Sequence, residues 1–274
     1  MFNNNPQSRN TRIFLGQTEW MLVQAALEPK TVPAFAQRVN PALSPDELRG
    51  ALVSARESLM AREWLREDDK GQVEINPILE MCWRSVTSPR NSLALTLMEP
   101  GRPARQVYYN RLTNLFIGNW MQPNRAYVFD MVEDGVDVAA SLIEQWFGKS
   151  IKPDSKASSA VRYQVPPGLM PESVSEQTLA GFVDALQKSG VKANHAKEIE
   201  SLYGKPSRRA SLVFAADAKQ GTQDIQVQAI VWLSASDHTW LVTESKPSPE
   251  VTLHRVSEEQ LAAHIAQFVR MAEG

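Results

Sequence analysis

The sequence has a single cysteine, Cys82, so no disulfide can form within the chain, which fits a reducing compartment. Cys82 lies in the apolar stretch Ile78-Leu79-Glu80-Met81-Cys82-Trp83 and reads as core filling rather than as a nucleophile. Glycine is scarce, 13 residues in 274, and none falls in a phosphate-cradling G-x-x-x-x-G-K loop. No G-x-S-x-G elbow presents a serine. The four histidines, His195, His238, His254 and His264, lack H-E-x-x-H spacing and read as surface or satisfied polar groups, not metal ligands. Asp68-Asp69 beside Lys70-Gly71 reads as a solvated turn, not a catalytic acid pair. An excess of one charge is also missing. With 29 basic and 31 acidic residues there is no broad positive field to release counterions from nucleic acid. No apolar run approaches the roughly 18 residues of a membrane span. The leading residues Met1–Asn10 are polar, without a secretory hydrophobic segment. These absences leave no catalytic, metal or cofactor site to expect, and point to a soluble cytoplasmic protein.

What the chain does have is a partial echo of itself. Ser88-Pro89-Arg90-Asn91-Ser92-Leu93 is matched by Ser207-Arg208-Arg209-Ala210-Ser211-Leu212. The run from Trp120-Met121 to Tyr127-Val128-Phe129 is echoed from Trp232-Leu233 to Trp240-Leu241-Val242. Ala139–Phe147 is echoed by Ala262–Val269. Three matches in one order, at offsets of roughly 110–125 residues, imply a duplicated unit too long for a solenoid repeat.

The hydrophobic content of 43% can build one large core or two smaller ones. The expected organisation is a polar tail over 1–12, a first half over 13–148, a linker over 149–172 and a second half over 173–274. In the first half, Thr18 opens a helix, Thr31 a short helix over Val32–Val39, and Ser44-Pro45-Asp46-Glu47 a longer one. Strands follow at Leu93–Leu97, Gln106–Asn110, Leu115–Trp120 and Ala126–Phe129, and a helix over Val138–Phe147 closes the unit. The proline- and serine-rich stretch after Lys149 gives the linker its composition. The second half reads as helices from near Ser175 to Gly190 and over His195–Tyr203. Strands then run at Ala210–Ala215, Ile225–Leu233, Trp240–Glu244 and Val251–His254, before a last helix starting at Ser257-Glu258-Glu259-Gln260. Short connections favour antiparallel pairing, so the class is α+β.

The order of helices, turn and short strand before Val86 is also that of a winged helix. A DNA-binding regulator with a C-terminal sensor domain is therefore the alternative reading. The helix that would enter the groove, Pro45–Leu65, mixes Asp46, Glu47, Glu57 and Glu63 with its arginines, the pattern of a solvated face. The aromatic distribution points instead to a protein surface. Trp120-Met121 sits at a turn as an edge cap or a partner anchor. Phe182, Leu186, Ile199, Leu202 and Tyr203 on the 175–203 helices form core or a groove for a partner helix. The candidate partner-binding residues are Trp120, Met121, Phe182, Leu186, Ile199 and Tyr203.

In this order of elements the chain resembles the EspG family of type VII (ESX) secretion chaperones, from about Thr18 to Ala272. The similarity runs through Leu59-Met60-Ala61-Arg62-Glu63-Trp64-Leu65, Val73–Leu79, Ser88–Leu93, Leu186–Val191, Ala196-Lys197-Glu198-Ile199, Arg208-Arg209 and Trp240–Glu244. After Asp217–Gly221 the chain departs from the family pattern at Thr222 and Gln223, as a divergent member would. The resemblance implies two pseudo-symmetric halves, with an antiparallel sheet flanked by helical bundles. It also implies a cytoplasmic, non-enzymatic chaperone that grips the apolar tip of a helical partner, a PE/PPE-like protein or another type VII substrate.

Overall fold

The computed structural model describes residues 11–27, 44–112, 114–122, 126–154, 161–166, 169, 176–204, 207–217, 225–235, 238–244 and 251–273. The expected helix over 32–39 and the departure at 222–223 lie outside them. In chain order the elements are β1 (Arg12–Leu15), α1 (Gln17–Ala26), α2 (Pro45–Ala61), β2 (Leu65–Glu67), β3 (Val73–Ile75), α3 (Pro77–Thr87), β4 (Asn91–Met98), β5 (Arg105–Arg111), β6 (Phe116–Met121), β7 (Tyr127–Val132) and α4 (Gly135–Phe147). They continue as β8 (Val161–Val165), α5 (Glu176–Lys188), α6 (Ala193–Gly204), β9 (Arg208–Asp217), β10 (Ile225–Ser234), β11 (Thr239–Glu244), β12 (Val251–Val256) and α7 (Glu258–Glu273). The fold is α+β, with its larger sheet antiparallel. The chain divides into two compact units, 1–92 with 107–134, and 93–106 with 135–274.

In unit 1 the strands lie in the order β1-β7-β6-β5. Side chains alternate across a strand, so Ile13, Leu15, Ile117, Tyr127 and Phe129 turn to one face and meet α1 and α3. Trp20 of α1 is the centre of that core, with ring centroids 4.8 Å from Phe129, 5.8 Å from Trp83 and 6.0 Å from Tyr127. The starts of α2 and α3 are fixed by local chemistry. Ser44 accepts a bond from the Glu47 amide, while the Glu47 carboxylate accepts from the Ser44 amide at 2.8 Å. Asn76 accepts from the Ile78 amide at 3.0 Å, and Pro77 fills the first helical position, where no amide donor is needed. The Asp68–Gly71 turn joins β2 to β3, with Asp68 Oδ1 accepting from the amides of Lys70 and Gln72.

In unit 2 the strand order is β4-β9-β10-β11-β12-β8. Helices α4 and α7 pack antiparallel with both ends tied. The Gly135 amide donates to Glu273 Oε1 at 2.7 Å, and Lys149 pairs with Glu258 at 2.7 Å. Arg105 and Arg208 donate to the carbonyls of Gln145 and Trp146, the last turn of α4, where cations complement the helix dipole. Helices α5 and α6 cover another part of the sheet, around Leu233, Trp240, Val251 and Leu253.

Two expected boundaries change. The helix expected to close the first half, α4, packs on α7 and belongs to unit 2, because its apolar face needs a helical partner from the end of the chain. The expected linker over 149–172 holds β8, which pairs antiparallel with β12 between Val161 and Val165. The order of four strands and a helix occurs twice, as β4-β5-β6-β7-α4 and as β9-β10-β11-β12-α7. Each set also has an outer strand, β1 on β7 and β8 on β12. The matches opening β4 and β9, and those in α4 and α7, fall on corresponding elements. The middle match does not. Trp120 lies in the third strand of its set and Trp232 in the second of the other; the third-strand tryptophan is Trp240.

Candidate partner-docking surface

Four of the candidate contact residues lie on α5 and α6. Phe182, Leu186 and Ile199 are buried in the core of unit 2 together with Leu202, Leu233, Trp240 and Leu253. Tyr203 is half-buried, edge-on to Phe182 at 5.4 Å, with the Arg209 guanidinium 4.9 Å from its ring centre. Burial pushes its phenol up to about 12. A polar seam fixes α6 in place. Tyr163 Oη lies 2.7 Å from His195 Nδ1, and Trp240 Nε1 donates to Glu198, which also pairs with Arg255 at 3.1 Å. This packing makes Phe182, Leu186 and Ile199 part of the framework rather than of an open groove.

Trp120 and Met121 are successive residues of β6 and therefore turn to opposite faces. Met121 packs on the unit 1 core. Trp120 faces the other way, with the Arg12 guanidinium 5.6 Å from its ring centre. Arg12 also pairs with the buried Asp130 at 2.9 Å. The six residues thus do not form one patch: Phe182 and Tyr203 touch, Leu186 and Ile199 share their core, and Trp120 and Met121 lie apart on two faces of unit 1.

The apolar surface left open in unit 2 is a sheet face. On β10, Val227, Ala229, Val231 and Leu233 share one side, and Leu233 carries that side into the core beneath α5 and α6. Beyond Leu233 the helices no longer cover it, so Val227 is 46% and Val231 36% exposed. In register beside them stand Ala215 and Val213 of β9 and Val242 of β11. The result is a strip of alanine and valine bordered by Ser211 and Arg209. Short side chains make this an apolar strip suited to the larger apolar residues of a helix, with Arg209 and Asp217 of β9 and Glu244 of β11 at positions on the same side of the sheet. The signal for it is in the sequence: Val227, Ala229 and Val231 extend the apolar side of β10 beyond the core residue Leu233, while the opposite side turns polar at Gln226 and Gln228.

Among the described residues no three His, Cys, Asp or Glu side chains gather in a metal-binding group. Cys82 is buried and its thiol is pushed up to about 12, so it is not a reactive thiolate. The arginines on and just after α2 that a DNA-reading helix would use have acidic neighbours within unit 1, with the Arg49 pair fully at the surface. Arg56 pairs with Glu67, Arg62 with Glu19 at 2.5 Å, and Arg49 with Asp46 at 3.8 Å.

No protein-family model and no curated protein matches this chain. Among solved structures, the chain is similar in fold to the Mycobacterium tuberculosis type VII secretion system chaperone EspG5, described in complex with a PE25-PPE41 dimer. The TM-score is 0.68 over 96% of each chain, at 13% sequence identity.

Proposed function

We propose that this chain is a chaperone or adaptor of the EspG type, a divergent member that binds the apolar tip of a helical secretion substrate in the cytoplasm and keeps it soluble. The observation that carries this reading is the open alanine–valine face of β9 and β10 beside α5 and α6. Covering such a face contributes about 25 cal/mol per Å² before association costs are subtracted. The fold likeness supports the same reading, since that chaperone is described with a PE–PPE dimer. The partner proposed is accordingly a PE/PPE-like heterodimer or another helical type VII substrate, and no reaction is assigned to the chain. We also read the repeated strand–helix order as an internal duplication, with Trp120 and Trp240 as counterparts about 120 residues apart.

The test is co-expression with PE/PPE-like pairs from the same source, followed by size-exclusion chromatography. A stable complex is expected with at least one pair, and Val227→Asp, at the more exposed position, weakens it at least tenfold while Tm stays close to that of the parent. The proposal fails if no pair binds, or if Val227→Asp binds as the unsubstituted chain does.

A further inference from the structure

The outer strands of the two units offer a matched comparison. In unit 1, β1 sets Arg12 opposite Asp130 of β7, and the two form an ion pair at 2.9 Å. In unit 2, β8 sets Arg162 opposite His254 of β12. Each pair joins an outer strand to the strand at the end of its set, so Arg162 holds the place of Arg12 and His254 that of Asp130. The arginine is kept and the carboxylate is gone. A second imidazole, His264 of α7, comes within 5.7 Å of His254 between ring centroids.

Three groups now share one corner: Arg162 from β8, His254 from β12 and His264 from α7. The residue of β11 in register with His254 is Leu241, which adds no charge. Among the described residues no carboxylate forms an ion pair with any of the three. Burial holds both imidazoles below their ordinary value, and His264 and Arg162 depress His254 further, so both rings are neutral near pH 7. A neutral imidazole still offers one N–H donor, and the guanidinium is a permanent cation. The same positive charge disfavours a metal ion shared by the two rings.

We propose that Arg162, His254 and His264 form a binding site for a carboxylate that comes from outside the chain and takes the role Asp130 has in unit 1. The ligand is a free small organic acid or an acidic side chain of a docked protein. Its charge neutralises Arg162 and favours proton uptake by the adjacent rings. This inference does not depend on the chaperone reading.

The experiment follows the ring Cε1–H resonances of His254 and His264 by NMR in the full chain at about pH 6.5. Sodium acetate replaces sodium chloride at constant ionic strength in one arm, and a blocked glutamyl peptide is added in the other. Saturable movement of both resonances toward their protonated positions is expected, with about tenfold weaker apparent affinity in Arg162→Ala. Saturation by acetate supports a site for free acids, and saturation by the peptide alone supports a site for acidic side chains. His254→Asp rebuilds the unit 1 pair and abolishes the response while raising Tm. If neither probe moves the unsubstituted rings beyond the chloride baseline, the proposal is overturned, whether or not the variants fold.

Discussion

The ring of Tyr109 in β5 lies directly over Gly118, its cross-strand neighbour in β6. A Cβ built on Gly118 would stand 2.7 Å from Tyr109 Cε1. Tyr109 is fully buried, so its ring has no room to retreat. The glycine is required by contact, not by backbone angle. Gly118→Ala is expected to destabilise the protein by about 1–3 kcal/mol, the usual range for overpacking a core. Urea denaturation followed by tryptophan fluorescence measures it, and an unchanged midpoint would show that Tyr109 can shift at no cost.

Arg208 combines three contacts in unit 2. It stacks 4.3 Å from the ring centre of Trp146, donates to the Trp146 carbonyl at the end of α4, and pairs with Glu99 at 3.0 Å. Lysine can keep the charge but not the planar stack with its forked donors. Arg208→Ala is expected to cost about 1–2 kcal/mol, and Arg208→Lys to recover less than half of it. Full recovery by lysine in chemical denaturation would reduce the role of Arg208 to charge alone.

Stability should depend on pH through His254. In the fold its imidazole is held down to about 4, first by burial and then by His264 and Arg162; unfolded, it returns to its ordinary value of 6.5. Between these values the unfolded chain binds more protons, so acid favours unfolding. Stability is therefore complete above about pH 6.5 and declines as the pH falls toward about 4. His264, lowered in the same direction, adds to the decline. The slope of Tm against pH in that window should flatten in His254→Gln, and an equal slope would assign the effect to other groups.

Leu186 and Val227 separate framework from surface. Leu186 is fully buried between α5, α6 and the sheet, so Leu186→Ala is expected to cost about 2–5 kcal/mol. Val227 is exposed, and Val227→Ser should stay within about 0.5 kcal/mol of the parent. Thermal denaturation of both variants tests this. A large loss in Val227→Ser would mean that the strip is packed rather than open.

Much of the strand pattern was legible because alternation and turn residues report it locally. Leu93, Leu95 and Leu97 alternate inward on β4 as their spacing implies, and Ser44-Pro45-Asp46-Glu47 forms the helix start its residues specify. The elements that escaped depend on distant partners or short signals. Arg12–Leu15 and Val161–Val165 are strands only because β7 and β12 accept them, and nothing within so few residues announces that pairing. Asn76-Pro77 carries a helix-start signal for α3, but it follows the short strand Val73–Ile75 directly, so two elements meet within a few residues. The candidate contact surface was less legible, for a physical reason. Large side chains such as Phe182 and Ile199 attract attention as anchors, yet size is what makes them core. The open face of β10 is made of smaller residues, whose one sequence signal is that they extend an apolar strand side beyond Leu233.

The interleaving of the two units has a consequence for how the chain is made. Strand β4 precedes β9, its neighbour in unit 2, by more than a hundred residues. At translation rates of about 5–20 residues per second, it leaves the ribosome roughly ten seconds before that partner exists. Throughout that interval Leu93, Leu95 and Leu97 sit on a strand with one edge unclaimed, so this protein that we read as a guardian of other chains itself passes through synthesis with a strand in need of shelter.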